Sequence, residues 1–360
     1  MKIAVVAVTK NGITLAEQTA ALLAGMGKYE PILHLPGKFS LLSIEGQRHP
    51  YRKPLRELFG ELFAEYEGIV CIMALGIVIR LAAPHLRGKT TDPAVVVMDE
   101  LGRNVISALS GHWGGANVLA ADIARGLGAN PVITTATDVN GLPAIEMVAR
   151  ERGWLIEPFE MVKKLNADIV NGKKVVIYSE VPLGLESDEH IEVRDFAEYS
   201  PARREDHRIV LVTNRMAKSF PSGTAFVRPK NLCVGIGCRR GVTAQEVKNA
   251  ISAALEESGR SIGSVHLLAS VDIKYDEQGI LEAAGEMGLP VRFFDRDQIS
   301  GIFREKEKEL SFSQLVNEKI GVGGVCEPAA ILGAGNFPKL VMPKLRHGRV
   351  TVAIAEGDWQ

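Results

Sequence analysis

Residues 104–135, NVISALSGHWGGANVLAADIARGLGANPVITT, read as a strand, a glycine turn, a helix and a second strand. Asn104 to Ser107 forms the first strand, the helix opens after Gly115, and Pro131 to Thr135 forms the second strand. Repeated strand-to-helix steps of this kind build an open, largely parallel sheet, with the loops after the strands forming the site. The turn also carries chemistry. Gly111, Gly114 and Gly115 fall within five positions, let a backbone approach a ligand, and precede a helix start whose N–H groups suit an anion such as a carboxylate.

The same plan extends in both directions. Lys2 to Val8 is an apolar strand, Lys10-Asn11-Gly12 a turn, and Thr14 to Ala24 a helix with Thr14 and Glu17 as its capping box. Pro50 to Tyr66 reads as helical. Gly68 to Ile79 is an apolar run of 12 residues, short of the ~20 a membrane-spanning helix needs, and reads as a buried strand and turn. Val95 to Met98 and Asn104 to Ser107 flank a hairpin at Asp99 to Arg103. From Leu232, Cys-Val-Gly-Ile-Gly-Cys-Arg-Arg-Gly-Val-Thr repeats strand, glycine turn and capped helix, with Thr243 and Glu246 as the box. His266 to Ser270 and Val291 to Phe294 add strands, and Val350 to Ala355 closes the sheet. The expected fold is α/β. Two three-layer α/β/α domains with largely parallel sheets, residues 1–140 and 230–360, are joined by a small α+β connecting region, residues 141–229.

Composition bounds the function. A chain of 360 residues with 46% hydrophobic and 24% charged residues has material for two or three cores. Lys and Arg total 42 against 43 Asp and Glu, so no overall field favours nucleic acid or an anionic membrane as partner. The apolar start is broken by Lys10 and Asn11 before a secretory core is complete, which points to the cytoplasm. The four cysteines, Cys71, Cys233, Cys238 and Cys326, are scattered and read as reduced thiols. No histidine spacing suggests a metal site of the protein's own.

His112, set among glycines, is the candidate general base or acid. The competing reading is a ring that steadies the turn by binding a neighbouring carbonyl. Ser110 and Asn117 flank it, Asn117 either contacting a substrate carbonyl or serving as a first-turn residue. Thr134, Thr135, Thr137 and Asp138 follow a strand and face the same crevice, and Asp138 is a catalytic acid or a helix cap. Arg80, Arg87 and Lys89 offer cations to carboxylates, with a solvated loop as the alternative for Arg87. In the second α/β unit Gly235, Gly237 and Gly241 with Arg239 and Arg240 form another anion cradle, one residue off the dinucleotide fingerprint. Cys238 beside the two arginines is a thiol of lowered pKa or a packed cysteine. Ser270, Asp272 and Lys274 alternate along an extended segment, and Glu327 before Pro328 is a cap or a ligand contact.

Taken together the motifs resemble the CbiG family, the cobalt-precorrin-5A hydrolases of anaerobic cobalamin synthesis. The resemblance rests on Gly76-Ile77-Val78-Ile79-Arg80, Asp92-Pro93-Ala94-Val95-Val96-Val97, Ser110-Gly111-His112-Trp113-Gly114-Gly115-Ala116-Asn117 and Val132-Ile133-Thr134-Thr135-Ala136-Thr137-Asp138. Gly235-Ile236-Gly237-Cys238-Arg239, Ser270-Val271-Asp272-Ile273-Lys274 and Thr351-Val352-Ala353-Ile354-Ala355 extend it over almost the whole chain. Trp113 stands where a leucine-like residue is usual.

The resemblance implies a substrate that is a ring-contracted cobalt tetrapyrrole with a δ-lactone and several carboxylate arms. Hydrolysis of the lactone with release of acetaldehyde gives cobalt-precorrin-5B. No cofactor is implied, the cobalt belonging to the substrate. Other corrin-pathway enzymes are implied as transient contacts. In that chemistry His112 is the base for water, helix amides near Gly114 to Ala116 face the oxyanion, and Asp138 or His112 takes the proton of the freed alcohol. Arg80, Ser110, Asn117, Thr134, Thr135, Thr137, Gly237, Cys238, Arg239, Lys274 and Glu327 are the candidate substrate contacts. A non-catalytic tetrapyrrole carrier would use the same loops, and acetaldehyde release separates the two. A nucleotide or phosphosugar enzyme is disfavoured by the lack of a Walker Lys-Ser/Thr pair.

Overall fold

The computed structural model describes residues 1–39, 48–88, 91–136, 145–201, 207–216, 220–306 and 308–358. The chain divides into two compact units, Met1–Met147 and Val148–Gln360.

The first unit holds β1 (Lys2–Ala7), β2 (Glu30–Pro36), β3 (Arg48–Tyr51), β4 (Gly68–Ile72), β5 (Ala94–Met98), β6 (Asn104–Leu109) and β7 (Asn130–Val132). They form one sheet in the order β3-β2-β1-β4-β5-β6-β7, with β1 to β5 all parallel. Every residue of β4 and β5 is buried, as expected where helices cover both faces of a parallel sheet. Helices Lys10–Gly25 and Ala116–Leu127 pack on Ile3, Val5, Val70 and Val96. Helices Leu55–Glu65 and Leu75–Ala82 pack on Ala4, Val6, Ile69 and Val95. The first helix begins ahead of the expected Thr14/Glu17 box, because Thr9 caps it by accepting the Gly12 N–H at 3.1 Å. β2 and β3 lie outside the expected strands.

The turn at Asp99–Arg103 has a large consequence. It reverses the chain, so β6 runs antiparallel to β5 with Met98 opposite Val105, and β7 follows β6 in parallel. The carboxyl ends of β6 and β7 therefore lie at the edge where β1, β4 and β5 begin. The usual ligand edge of a doubly wound sheet is the other one. There Thr9 Oγ1 donates to Glu100 Oε1 at 2.5 Å.

The second unit contains two five-stranded sheets. One comprises β8 (Leu155–Glu157), β9 (Val175–Ser179), β10 (Ile191–Asp195), β11 (Arg208–Val212) and β12 (Ala225–Arg228), in the order β10-β9-β11-β12-β8. β9 to β12 are parallel and β8 alone is antiparallel, so the connecting region is more nearly parallel α/β than α+β.

The other sheet comprises β13 (Leu232–Cys238), β14 (Val265–Val271), β15 (Val291–Phe294), β16 (Lys339–His347) and β17 (Val350–Glu356), in the order β15-β14-β13-β17-β16. β17 lies inside this sheet, antiparallel to both neighbours, so Val350 to Ala355 does not close it and β16 is the edge. Helix Ala244–Ser258 starts at the expected Thr243/Glu246 capping box. Helix Cys326–Ala334 presses directly on β13. A Cβ on Gly235 would stand 1.9 Å from the Cys326 carbonyl oxygen, so only glycine admits the approach.

Candidate functional site

The loop after β6 closes on itself. Ser110 takes a left-handed φ of 56°, and the N–H groups of Ala116 and Asn117 donate back to the carbonyls of Ser110 and Gly111 at 3.1 and 3.0 Å. The Gly115 N–H donates to the His112 carbonyl at 3.1 Å, and Gly115 caps the helix at φ 88°. A Cβ on Gly114 would come within 2.3 Å of Ser110 Cβ and 2.7 Å of its carbonyl oxygen. The glycines thus serve the loop's own closure. The amides of Gly115, Ala116 and Asn117 are spent inside it, which corrects their reading as donors to an incoming anion.

Closing the loop sets two polar constructions. Asn117 is buried, its Oδ1 accepting from Ser107 Oγ at 2.6 Å and its Nδ2 donating to Thr135 Oγ1 at 3.0 Å. Its carboxamide is a tie between β6 and the segment after β7, which corrects its reading as a direct substrate contact. The donor directions are fixed by that tie: Ser107 gives its proton to Asn117, Asn117 gives an N–H to Thr135, and the Thr135 hydroxyl retains a proton to donate onward. Thr134 beside it is exposed.

The second construction is a histidine–carboxylate pair. His112 Nδ1 stands 3.2 Å from Glu146 Oε1, and the Glu146 side chain is 1% exposed. Glu146 lies on helix Ile145–Glu151, where Ile145 and Ala149 are buried beside it. Sequence reasoning overlooked both Glu146 and Ser107. The available signal for Glu146 was a lone carboxylate between Ile145 and Met147, an apolar setting that marks a buried face. Thr137, Asp138 and Lys89 lie outside the described residues.

Ser110, His112, Gly114, Gly115, Asn117, Thr134 and Thr135 therefore gather at one sheet edge. Arg80 is exposed on helix Leu75–Ala82.

In the second unit Gly237, Cys238, Arg239 and Lys274 meet at the carboxyl ends of β13 and β14, but the protein's own acids occupy the cradle. The Gly241 N–H donates to Glu277 Oε1 at 2.8 Å, the Thr243 N–H to Glu246 Oε2 at 2.9 Å, and Arg240 pairs with Asp276 at 2.8 Å. Lys274 is 3.5 Å from Glu277. Burial pushes the Cys238 thiol up to about 11, with the neighbouring Lys274 opposing, so the lowered-pKa reading is corrected in favour of a packed cysteine. Asp272 to Lys274 form a helical turn beyond β14, and Ser270 is buried with its hydroxyl donating to the Ile236 carbonyl at 2.8 Å. The three side chains do not share an extended face.

Glu327 is buried and accepts from Ser311 N at 2.8 Å, Ser311 Oγ at 3.1 Å and Lys344 N at 3.1 Å. Its carboxylate is fully occupied by the protein, so the ligand-contact reading is corrected. Arg239 keeps an exposed side chain.

Family models described as cobalamin synthesis G N-terminal, cobalamin biosynthesis central region and cobalamin synthesis G C-terminus match residues 57–138, 143–229 and 232–355. A protein of Priestia megaterium named cobalt-precorrin-5A hydrolase is 34% identical over 98% of this chain and 94% of its own length. One of the same name from Salmonella typhimurium is 30% identical over 98% and 97%. A solved structure of a cobalamin biosynthesis protein G homolog from Sulfolobus solfataricus is 21% identical, covers 99% of this chain and 97% of its own, and superposes with a TM-score of 0.41.

Proposed function

This chain belongs to the cobalamin synthesis G (CbiG) family, and we propose that it hydrolyses the lactone of cobalt-precorrin-5A with His112 as general base. The observation that carries the assignment of the base is the His112–Glu146 pair. With Nδ1–H donated to the buried Glu146 carboxylate, Nε2 becomes the basic nitrogen of the ring, and the pair holds the imidazole in one orientation.

In the first step Nε2 takes a proton from water as the oxygen attacks the lactone carbonyl. The Thr135 hydroxyl, oriented by Asn117, donates to the oxyanion, and collapse breaks the ester bond as the departing oxygen takes the proton back from Nε2, which restores neutral His112 and gives a free alcohol and a carboxylic acid that loses its proton to solvent. In the second step a neutral His112 takes the alcohol proton. The new C=O forms as the C–C bond to the macrocycle breaks, acetaldehyde leaves, and the electron pair passes into the conjugated ring. The sequence consumes one water and balances without a resident cofactor, the cobalt arriving within the substrate. Four free cysteines, three of them buried, support a reducing compartment such as the cytoplasm. Among the described residues no helix is long and apolar enough to cross a membrane.

The test is anaerobic incubation of the chain with cobalt-precorrin-5A, reading acetaldehyde and a product two carbons lighter. The expected result is stoichiometric acetaldehyde from the wild type and a loss of about 10²- to 10⁴-fold in His112→Ala. Unchanged release by a folded His112→Ala overturns the assignment of the base. Binding of the substrate without release favours the carrier reading.

A further inference from the structure

Ser110 follows the last residue of β6 and holds a left-handed φ of 56°. A Cβ in that region crowds the backbone, so the position favours glycine. Among the described residues only Ser110 and Phe337 carry a side chain at positive φ, and every other such position is glycine. Gly111, Gly114 and Gly115 follow at once, so the loop uses glycine freely yet keeps serine where glycine would be relaxed. It also gives up a side chain to house this one: a Cβ on Gly114 would stand 2.3 Å from Ser110 Cβ.

The usual reason for a serine in a turn is absent. A turn serine commonly bends its hydroxyl back onto a nearby backbone group. Here the Ala116 N–H goes to the Ser110 carbonyl at 3.1 Å, and the Ser110 hydroxyl bonds to no group among the described residues. The residue is half-buried and so still open to solvent.

Its neighbours are the reacting groups. Gly111 alone separates Ser110 from His112 in the chain. The Asn117 carboxamide lies against Gly111, since a Cβ there would meet its Oδ1 at 2.6 Å, and the same carboxamide holds Thr135 Oγ1 at 3.0 Å. Ser110 and His112 thus flank the glycine on which the carboxamide that orients Thr135 rests.

We infer that Ser110 is a catalytic residue whose hydroxyl holds the attacking water. It accepts a hydrogen bond from one water proton while His112 Nε2 takes the other, which aims the water oxygen at the lactone carbonyl. The inference rests on the reading above and adds no covalent step, since Ser110 keeps its own proton throughout. Backbone strain persists where the side chain it carries is needed. The hydroxyl is all that Ser110 has beyond alanine.

The experiment compares the wild type, Ser110→Ala, Ser110→Gly and His112→Ala by acetaldehyde release from cobalt-precorrin-5A and by urea unfolding. Ser110→Ala keeps the Cβ and loses the hydroxyl, whereas Ser110→Gly loses both and relaxes the backbone. Both are expected to lower kcat about 10- to 100-fold with KM within about twofold of the wild type. Their stabilities part: the urea midpoint of Ser110→Gly rises above the wild type, and that of Ser110→Ala stays close to it. A merely structural serine would lose activity and stability together, so a fall in kcat with a rise in midpoint marks the hydroxyl as catalytic.

Wild-type kcat in Ser110→Ala overturns the inference. So does a raised KM at unchanged kcat, which gives the hydroxyl to substrate binding. A midpoint of Ser110→Gly at or below that of Ser110→Ala also overturns it, because no strain is then relieved. Failure of the reading itself is distinct. A wild type that releases no acetaldehyde, or a His112→Ala that releases it normally, overturns the reading and this inference with it, whereas a large loss in His112→Ala beside wild-type kcat in Ser110→Ala overturns this inference alone.

Discussion

Glu146 Oε1 stands 3.2 Å from His112 Nδ1 across 34 residues of chain. The carboxylate is buried while the ring is partly exposed, so in the proposed reaction Glu146 acts only through His112. Glu146→Ala is expected to lower kcat about 100-fold with KM within about twofold of wild type, inside the range of base catalysis. Glu146→Gln keeps an acceptor for Nδ1–H and loses less. A merely structural role would move KM and the unfolding midpoint together, so the split between kcat and KM in acetaldehyde assays is the deciding measurement.

The Ser107–Asn117–Thr135 chain makes a paired prediction. Asn117→Ala strips partners from two hydroxyls at a buried position and is expected to cost about 1–3 kcal/mol in urea unfolding as well as activity. Thr135→Ala removes only the end of the chain and is expected to leave stability nearly intact while lowering kcat about 10- to 100-fold, a modest oxyanion-donor loss. Equal effects of both variants on stability would argue that Thr135 serves packing alone.

How much of this was legible in the sequence depends on range. The capping box at Thr243 and Glu246, the reversing turn at Asp99–Arg103 and the strands of the first sheet's core follow from neighbours in sequence, and the structure has them. The glycines around His112 announced a tight loop but not its purpose, since only the folded chain shows the amides of Gly115 to Asn117 consumed by Ser110, Gly111 and His112 carbonyls. The same limit applies to the second cradle. Gly241 looks ready for an anion until Glu277, 36 residues away, is found supplying it. Edge placement was misread for a single reason: reversal at Asp99–Arg103 carries the His112 loop to the amino ends of the parallel strands, and local patterns do not sum to that direction.

Glu327 distinguishes framework from substrate contact. Its carboxylate accepts three donors from Ser311 and Lys344 and so holds helix Cys326–Ala334 to the segments around it. Glu327→Gln turns one acceptor into a donor facing other donors. It is expected to destabilise the chain by about 1–3 kcal/mol in urea unfolding, while the folded fraction keeps wild-type KM. A raised KM at unchanged stability would restore Glu327 to the binding site.

His34 sets an acid limit on stability. Burial, with His49, Lys2 and Lys53 adding to it and Glu61 opposing, holds its pKa at about 4 against an ordinary 6.5, and its Nε2 is 2.8 Å from the Tyr66 hydroxyl. The folded state thus keeps the ring neutral where the unfolded chain already takes up a proton. Unfolding binds that proton between pH 6.5 and 4, so the stability from His34 is full above 6.5, falls as the pH drops, and levels off below about 4. The difference approaches about 3 kcal/mol by linkage. His34→Gln retains a polar partner for Tyr66 and removes the titration. Urea unfolding at pH 7 and pH 4.5 is expected to show a smaller loss in His34→Gln than in wild type, and an identical loss in both would assign the acid sensitivity to other groups.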